Sequence, residues 1–209
     1  MDPQQHEHLI KSLQNGLMKL NLLIPSSAEK KLIAFLLLLK KWNKAYNLTA
    51  ITTLSDMLIL HIFDSLAIAT YINGPNLLDI GTGAGIPGIP LAIAFPDYHF
   101  TLLDSNHKKT TFITQALLEL EIKNVTVVCA RLEDFSSATC FNTIISRATT
   151  SLGFVVANAK HLCCNKGQIL LMKGKYPQEE VDAVNGNISV HRITVPELNA
   201  ERHLICMAN

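Results

Sequence analysis

A glycine-rich stretch directly after a short apolar run constrains the fold of this 209-residue chain more than any other feature. The residues Leu77-Leu78-Asp79-Ile80 are followed at once by Gly81-Thr82-Gly83-Ala84-Gly85-Ile86-Pro87-Gly88. The apolar run predicts a buried strand and the glycines predict a tight turn. Pro87 and Pro90 suit the first turn of a helix, where a missing N–H donor costs nothing. Such a strand, turn and helix expose backbone N–H groups at the place where nucleotide-like ligands bind.

The spacing of these glycines narrows the class of ligand. Dinucleotide-binding enzymes usually show G-x-G-x-x-G, whereas here the third glycine comes one residue early and an acid stands two residues before the first glycine. This spacing is typical of S-adenosylmethionine-dependent methyltransferases, in which the turn wraps the methionine part of the cofactor. We expect Gly81, Gly83 and Gly85 to let the main chain approach it, and Asp79 to meet its ammonium group directly or through water. The alternative is a turn that only joins a strand to a helix.

The spacing of apolar residues changes near residue 74. Up to residue 73 it is helical, with one helix expected from Ser26, under a capping box Ser26-Ser27-Ala28-Glu29, to about Trp42, and another from about Ser55 to Tyr71. Beyond it, short apolar runs alternate with helical stretches, which predicts a mostly parallel sheet covered on both faces. The predicted strands are 77–80, 100–103, 125–129, 143–145, 168–172, 189–195 and 202–207, the last two forming an antiparallel hairpin at the sheet edge.

These patterns predict an α/β fold with two parts. Residues 74–209 should form a Rossmann-like methyltransferase domain, a doubly wound sheet of about seven strands. Residues 1–73 should form an N-terminal helical subdomain that packs over the cofactor cleft.

Two further stretches are expected to complete the cofactor site. Asp104 ends a predicted strand 19 residues after Gly85, at about the separation at which a Rossmann-type fold places an acid on ribose hydroxyls. It could instead cap the helix that begins near Asn106. Leu132-Glu133-Asp134 follows the third strand, where such folds line an adenine pocket with a backbone N–H and a carboxylate. The alternative is that Glu133 and Asp134 are solvent-facing turn residues.

The segment Ser146-Arg147-Ala148 places a permanent cation at the carboxyl end of the fourth strand, where substrate and cofactor should meet. We therefore expect Arg147 to be the central site residue, the alternative being a surface residue at a strand end. Pyrimidine C5 methylation would need a cysteine nucleophile there, and exocyclic-amine methylation usually needs Asn or Asp before Pro-Pro and an aromatic residue. Neither is present. Guanine N7 methylation needs neither a general base nor a nucleophile, so positioning and electrostatics suffice.

Composition limits the setting and the partners. A net charge of +1 means that RNA contacts must come from local patches, and 48% hydrophobic residues predict a globular protein. The five cysteines have no zinc-ligand spacing and are expected to be reduced thiols. The polar N-terminus lacks a secretory pattern, and the apolar run Leu32–Leu39 is too short to span a bilayer. We therefore expect a soluble, cytoplasmic protein without a membrane partner.

Candidate RNA contacts are weaker signals. Cations and aromatics interleave between Lys40 and Tyr46, a pattern suited to phosphate contact and base stacking, although lysines at a helix end beside a packed Trp42 explain it equally. A basic rim could include Lys108, Lys109, Lys173, Lys175 and Arg202. His61 and Asp64 lie at i, i+3 on one helix face, either as an active-site wall or as an interdomain hydrogen bond. No further clustered ligand accompanies the pair, so we expect no metal site.

Across nearly its whole length the chain resembles the bacterial ribosomal RNA small subunit methyltransferase G family, the glucose-inhibited division protein B group. The segments that carry the resemblance are Trp42-Asn43-Lys44 through Ile51, His61-Ile62-Phe63-Asp64-Ser65-Leu66, the glycine turn with Ile86-Pro87-Gly88-Ile89-Pro90, Ile145-Ser146-Arg147-Ala148, Leu171-Met172-Lys173-Gly174, Pro196-Glu197-Leu198 and Glu201-Arg202-His203-Leu204.

This resemblance implies methyl transfer from S-adenosylmethionine to N7 of one guanosine in the decoding region of 16S rRNA. The expected partner is 16S rRNA or the small ribosomal subunit, and we expect the protein to be a monomer. It implies cofactor binding through Gly81, Ile86, Leu132, Glu133 and Arg147. Leu60 departs from the family, which commonly has an arginine there, and this puts one RNA or structural contact in doubt. Leu132 stands where many members have alanine, a change that a backbone contact tolerates. A nicotinamide-linked oxidoreductase and a non-catalytic ribosome-binding module remain as alternatives.

Overall fold

The computed structural model describes residues 3–147 and 151–209. Its first third is helical, as predicted. The helices are α1 (Pro3–Lys19), α2 (Ser26–Tyr46), and an irregular helical segment made of α3 (Leu54–Met57), a π-helical turn (Leu58–Phe63), α4 (Asp64–Leu66) and a 3-10 turn (Ala69–Tyr71). By length and composition, Leu54–Tyr71 could cross a membrane, but 56% of this stretch is buried inside the protein, so its apolar side chains contribute to the core.

Helix α2 begins at Ser26 as expected, but the predicted capping box is wrong. Pro25 occupies the cap position, and no side chain caps the helix. The Glu29 carboxylate instead accepts a hydrogen bond from Gln14 Nε2 of α1 at 2.9 Å, so it is drawn away from the helix start. The helix runs to Tyr46, beyond the expected end, and stops where Asn47 adopts a left-handed conformation with φ 50°.

The remainder of the chain alternates strands and helices around a seven-stranded sheet, which confirms the predicted fold class. The strands are β1 (Asn76–Ile80), β2 (His99–Asp104), β3 (Val125–Cys129), β4 (Phe141–Ser146), β5 (Cys163–Lys173), β6 (Ile188–Arg192) and β7 (His203–Ala208). The helices between them are α5 (Gly88–Ala94), α6 (His107–Glu119), α7 (Leu152–Ala159) and α8 (Gln178–Asp182).

The strand order is β3-β2-β1-β4-β5-β7-β6. Strands β1 to β5 are parallel to one another, so the carboxyl ends of β1, β2, β3 and β4 meet at one edge of the sheet. The predicted antiparallel hairpin is confirmed, with β7 placed between β5 and β6. The start of β5 was missed because its early residues Asn165 and Lys166 are exposed and polar.

The helices of the first third share their core with one face of the sheet. Leu32, Phe35 and Leu39 of α2 belong to the same buried cluster as Leu77 of β1 and Phe112 of α6. A second cluster on the other face joins the sheet to α7. The division at residues 73 and 74 into a helical subdomain and a methyltransferase domain therefore stays a prediction, since packing joins the two parts.

The expectation that all five cysteines are reduced is wrong for two of them. Cys140 immediately precedes β4 and Cys164 lies in β5, and the pairing of Phe141 with Cys163 brings their Cα atoms to 4.9 Å, where they form a disulfide. Their separation of 24 residues gave no sign of this contact, which arises from strand pairing. Cys129, Cys163 and Cys206 are free thiols.

Candidate cofactor and active site

The predicted turn after β1 adopts a conformation that requires glycine. Gly81, Gly83 and Gly85 have φ values of 66°, 62° and 81°, in the left-handed region that side chains disfavour. The turn is tied to the neighbouring strand because the N–H groups of Gly81 and Thr82 donate to the Leu103 carbonyl at 2.8 and 3.1 Å. We call residues 81–85 the glycine turn.

Asp79 lies beneath this turn and has one carboxylate oxygen to spare. Its Oδ2 accepts from Thr82 Oγ1 at 2.6 Å and from the Gly88 N–H at 2.9 Å. Its Oδ1 is buried and has no hydrogen-bond partner among residues 3–147 and 151–209. Burial raises the pKa of Asp79 to about 6, and the two hydrogen bonds oppose this only in part. An unpartnered buried acceptor is stabilised by a donor, above all a cationic one, so this site suits an ammonium group.

Asp104 ends β2 and holds the glycine turn from the other side. Its Oδ2 accepts from the Gly83 N–H at 2.8 Å and its Oδ1 from the Asn106 N–H at 2.8 Å. The alternative that Asp104 caps α6 is wrong, because Asn106 is the cap and accepts from the N–H groups of Lys108 and Lys109. Each Asp104 oxygen keeps a further lone pair, which a ligand hydroxyl could use.

A cleft of about 300 Å³ opens where these strand ends meet. Four predicted site residues come together in its wall: Gly81, Asp104, Leu132 and Glu133. Phe154 of α7 also lines it, 39% exposed, and sequence reasoning missed it because an apolar residue in a helix carries no sign of a site. A larger cavity of about 910 Å³ between α1 and Leu54–Phe63 is lined by none of the predicted cofactor residues.

Five predicted cofactor residues do not line this cleft: Asp79, Gly83, Gly85, Ile86 and Arg147. Ile86 is 4% exposed and packs in the core, and its N–H donates to the Thr82 carbonyl at 2.9 Å, so it stabilises the turn from behind. Arg147 follows β4, whose Ser146 pairs in register with Ile80 of β1. The Arg147 main chain therefore lies at the same edge of the sheet as the glycine turn, at the end of the neighbouring strand.

Arg147 is anchored by residues far away in the sequence. Its Nη1 donates to the Leu60 carbonyl at 2.7 Å and to Asp64 Oδ2 at 3.2 Å, while Asp64 Oδ1 accepts from Arg202 Nε at 2.9 Å. The Arg147 side chain is 27% exposed and that of Asp64 only 6%. We call Asp64, Arg147 and Arg202 the arginine cluster. The Leu60 contact uses a main-chain carbonyl, so this contact does not depend on the side chain at that position.

His61 and Asp64, predicted to share a helix face, have separate tasks. His61 is 3% exposed, and its Nε2 lies 3.1 Å from Thr49 Oγ1. Burial, aided by the charge of Arg147, lowers the pKa of His61 to about 4, so the ring is neutral near pH 7. Within residues 3–147 and 151–209, no group of three or more His, Cys, Asp or Glu side chains is arranged to hold a metal ion.

The candidate RNA-binding segment Lys40–Tyr46 of α2 has its Trp42 packed inside, as the structural alternative predicted. Trp42 stacks on Tyr46 with ring centroids 5.0 Å apart and contacts Phe112 of α6 at 5.7 Å. Its ring is therefore engaged with the core, while contact of Lys40, Lys41 and Lys44 with RNA stays a prediction.

The fold and the cleft define the class of protein. The strand order and the glycine turn are those of a class I S-adenosylmethionine-dependent methyltransferase. A putative caffeoyl-CoA O-methyltransferase from Staphylococcus aureus has a similar structure, with a TM-score of 0.57 at 14% identity over 83% of this chain and 92% of that one. The N-methyltransferase NodS from Bradyrhizobium japonicum, in complex with S-adenosyl-L-homocysteine, gives a TM-score of 0.53 at 14% identity over 73% and 90% of the two chains.

Sequence comparison then gives the family. The family model of rRNA small subunit methyltransferase G matches residues 28–205. The ribosomal RNA small subunit methyltransferase G of Nitrosococcus oceani is 47% identical over 196 residues, which cover 92% of each chain. This chain belongs to the rRNA small subunit methyltransferase G family, an enzyme family that uses S-adenosylmethionine, and the oxidoreductase and non-catalytic alternatives are wrong.

Proposed function

We propose that this protein transfers a methyl group from S-adenosylmethionine to N7 of a specific guanosine in the decoding region of 16S rRNA. The observation that carries the proposal is the anchored cation Arg147 at the same sheet edge as a glycine turn with an unpartnered buried carboxylate oxygen. Family membership adds the class of RNA, since the relatives are named as methyltransferases of small subunit ribosomal RNA.

The cofactor would be bound by residues that fit its separate parts. Asp79 Oδ1 would accept from the ammonium group, with Gly81, Gly83 and Gly85 leaving room for the methionine part. Asp104 would accept from the ribose hydroxyls, and Leu132 and Glu133 would read the adenine through a backbone N–H and a carboxylate. Ile86 would act through the shape of the turn. Bound there, S-adenosylmethionine supplies a methyl group on a sulfonium, which is electrophilic without further activation.

The residues at the end of β4 suit an N7 acceptor. Guanine N7 has an in-plane lone pair and no proton to lose. The protein therefore has only to orient the base so that N7 faces the methyl group in line with the bond to sulfur. Among the described residues that line the cleft there is no cysteine to act as a nucleophile. Arg147 keeps Nε and Nη2 donors that have no partner among the described residues, and a cationic donor there can hydrogen-bond guanine O6, which adenine lacks.

The setting follows from the substrate. A protein that modifies ribosomal RNA would work in the cytoplasm on the small ribosomal subunit, as a monomer without metal or membrane partner. Within the protein, we propose that residues 1–73 form a helical subdomain. Its Leu60 and Asp64 contact Arg147 in the active site of residues 74–209.

A methyl-transfer assay tests the proposal. Small subunits and total RNA from cells that lack this protein are incubated with the protein and tritiated S-adenosylmethionine, and the modified nucleotide is mapped. We expect label in 7-methylguanosine at one position of 16S rRNA. Label in another nucleoside, or no label in either substrate, contradicts the proposal. Subunits from cells that contain the protein are the control, because their site is already methylated.

A further inference from the structure

Asp64 is a buried carboxylate that holds two guanidinium groups at once. Its Oδ2 lies 3.2 Å from Arg147 Nη1 and its Oδ1 lies 2.9 Å from Arg202 Nε. Its side chain is 6% exposed, whereas those of Arg147 and Arg202 are 27% and 23% exposed. The acid is thus the fixed, inner member of the arginine cluster, and the two cations reach from it towards the surface.

The contacts of Arg147 divide its donors into two sets. Nη1 donates two hydrogen bonds, to the Leu60 carbonyl at 2.7 Å and to Asp64 Oδ2 at 3.2 Å. Nε and Nη2 have no hydrogen-bond partner in the part of the chain that the structure describes. A guanidinium is planar and rigid, so fixing one nitrogen with two acceptors also fixes the direction in which the other donors point.

The arginine cluster has more positive than negative charge. One carboxylate faces two permanent cations, so the cluster has a net charge of +1. His61, three residues before Asp64, adds no charge near neutral pH, because burial and Arg147 lower its pKa to about 4. Arg147 and Arg202 therefore do not compete for Asp64, because Arg147 pairs with Oδ2 and Arg202 with Oδ1.

We infer that Asp64 is the positioning residue for Arg147, the group that directs its free donors to the reacting base and cofactor. This inference rests on the proposed function of the same site. Arg202 then supports Asp64 from the β6–β7 connection, so the direction of the arginine is set jointly by the helical segment, the end of β4 and the edge of the sheet.

The substitution Asp64→Asn tests the inference, because it keeps the shape of the side chain and removes its charge. We expect kcat for methyl transfer to small subunits to fall about ten- to a hundred-fold, the range for a misplaced positioning group. KM for the small subunit and affinity for S-adenosylhomocysteine, measured by calorimetry, should change less than kcat. If Asp64→Asn does not fold, Asp64→Glu keeps the charge and moves the carboxylate by one methylene, and it should lower kcat while retaining circular dichroism.

The matched control is Glu197→Gln. Glu197 pairs with Lys19 and so also joins the N-terminal helices to the β6–β7 connection, but it does not touch Arg147. This variant should retain kcat within about two-fold, since exposed ion pairs contribute little.

A double-mutant cycle separates positioning from a general structural role. In an Arg147→Ala background, Asp64→Asn should have almost no further effect on kcat, because the group it positions is gone. An equal loss in both backgrounds, or wild-type kcat in a folded Asp64 variant, overturns the inference while leaving the proposed function intact. Absence of transfer by the wild type overturns the proposed function, and this inference with it.

Discussion

At the glycine turn, the polar groups of the site come from two short stretches of chain, residues 79–88 and 104–106, which adjacent parallel strands bring together. In the arginine cluster, Asp64 joins residues that are 83 and 138 positions away in the sequence. The first region is defined by backbone conformation and strand pairing, the second by side chains that meet only after the helical segment has packed. Local backbone geometry thus shapes the glycine turn, and long-range packing assembles the arginine cluster.

Removal of Arg147 should produce the largest effect and should separate the two regions. Arg147→Ala is expected to lower kcat by about a hundred- to a thousand-fold, the cost of losing one preorganised donor at a reacting centre. The hydrogen bonds of Arg147 go to Leu60 and Asp64 and not to the glycine turn, so we expect the fold to survive. Methyl transfer to small subunits measures the first expectation, and circular dichroism with thermal unfolding measures the second.

An unchanged kcat for Arg147→Ala would remove the arginine from the active site and leave the cluster as a structural feature. Arg202→Gln is the comparison, because it removes the other cation from Asp64 and leaves the Arg147 pair in place.

The contrast between the regions also decides what could be predicted from the sequence. The turn, Asp79, Asp104 and the order of strands and helices follow from spacing along the chain, because local conformation and strand periodicity leave direct traces in sequence. For Asp64 the sequence left an active-site wall and an interdomain hydrogen bond both open. It could not name Arg147 and Arg202 as the partners, because these side chains meet Asp64 only in the folded chain. Phe154 and the Cys140–Cys164 bond were missed for the same reason, as both depend on which strands and helices are neighbours.

A glycine-to-alanine pair tests how far the first region depends on local backbone conformation. Gly85→Ala should lower the free energy of unfolding by about 2–4 kcal/mol, because it adds left-handed strain to a clash in a packed core. Its Cβ would lie 2.5 Å from Ile89 Cδ1. Urea denaturation measures the change.

Gly83→Ala is the matched control within the same turn. It has the same left-handed strain, but its nearest neighbours would be Lys109 Nζ at 3.9 Å and the Gly81 carbonyl at 4.0 Å. We expect a loss of only about 1–2 kcal/mol. Equal losses for the two variants would show that packing against Ile89 contributes nothing and that conformation alone explains the glycines.

The pH dependence of stability should have opposite signs at His61, which lies beside the arginine cluster, and at Asp79, which lies beneath the glycine turn. His61 gives the larger effect. Its pKa is about 4 in the folded protein against 6.5 unfolded, so its stabilising contribution is complete above pH 6.5 and is lost as the pH falls. Relative to His61→Gln, the wild type should lose about 2 kcal/mol of unfolding free energy between pH 7 and pH 5. Urea denaturation at both values measures it. A pH-independent difference would mean that His61 is not buried as a neutral ring.

Asp79 should shift stability the other way, by a smaller amount. Its folded pKa of about 6 exceeds the ordinary 3.8, so protonation stabilises the native state as the pH falls through 6. Relative to Asp79→Asn, the cofactor-free wild type should gain about 1 kcal/mol of unfolding free energy between pH 7 and pH 5. Saturating S-adenosylhomocysteine should abolish this gain, because an ammonium at Oδ1 favours the charged carboxylate and returns its pKa towards the ordinary value. A gain that persists with the ligand bound would place the ammonium elsewhere and leave the unpartnered oxygen of Asp79 without a role in cofactor binding.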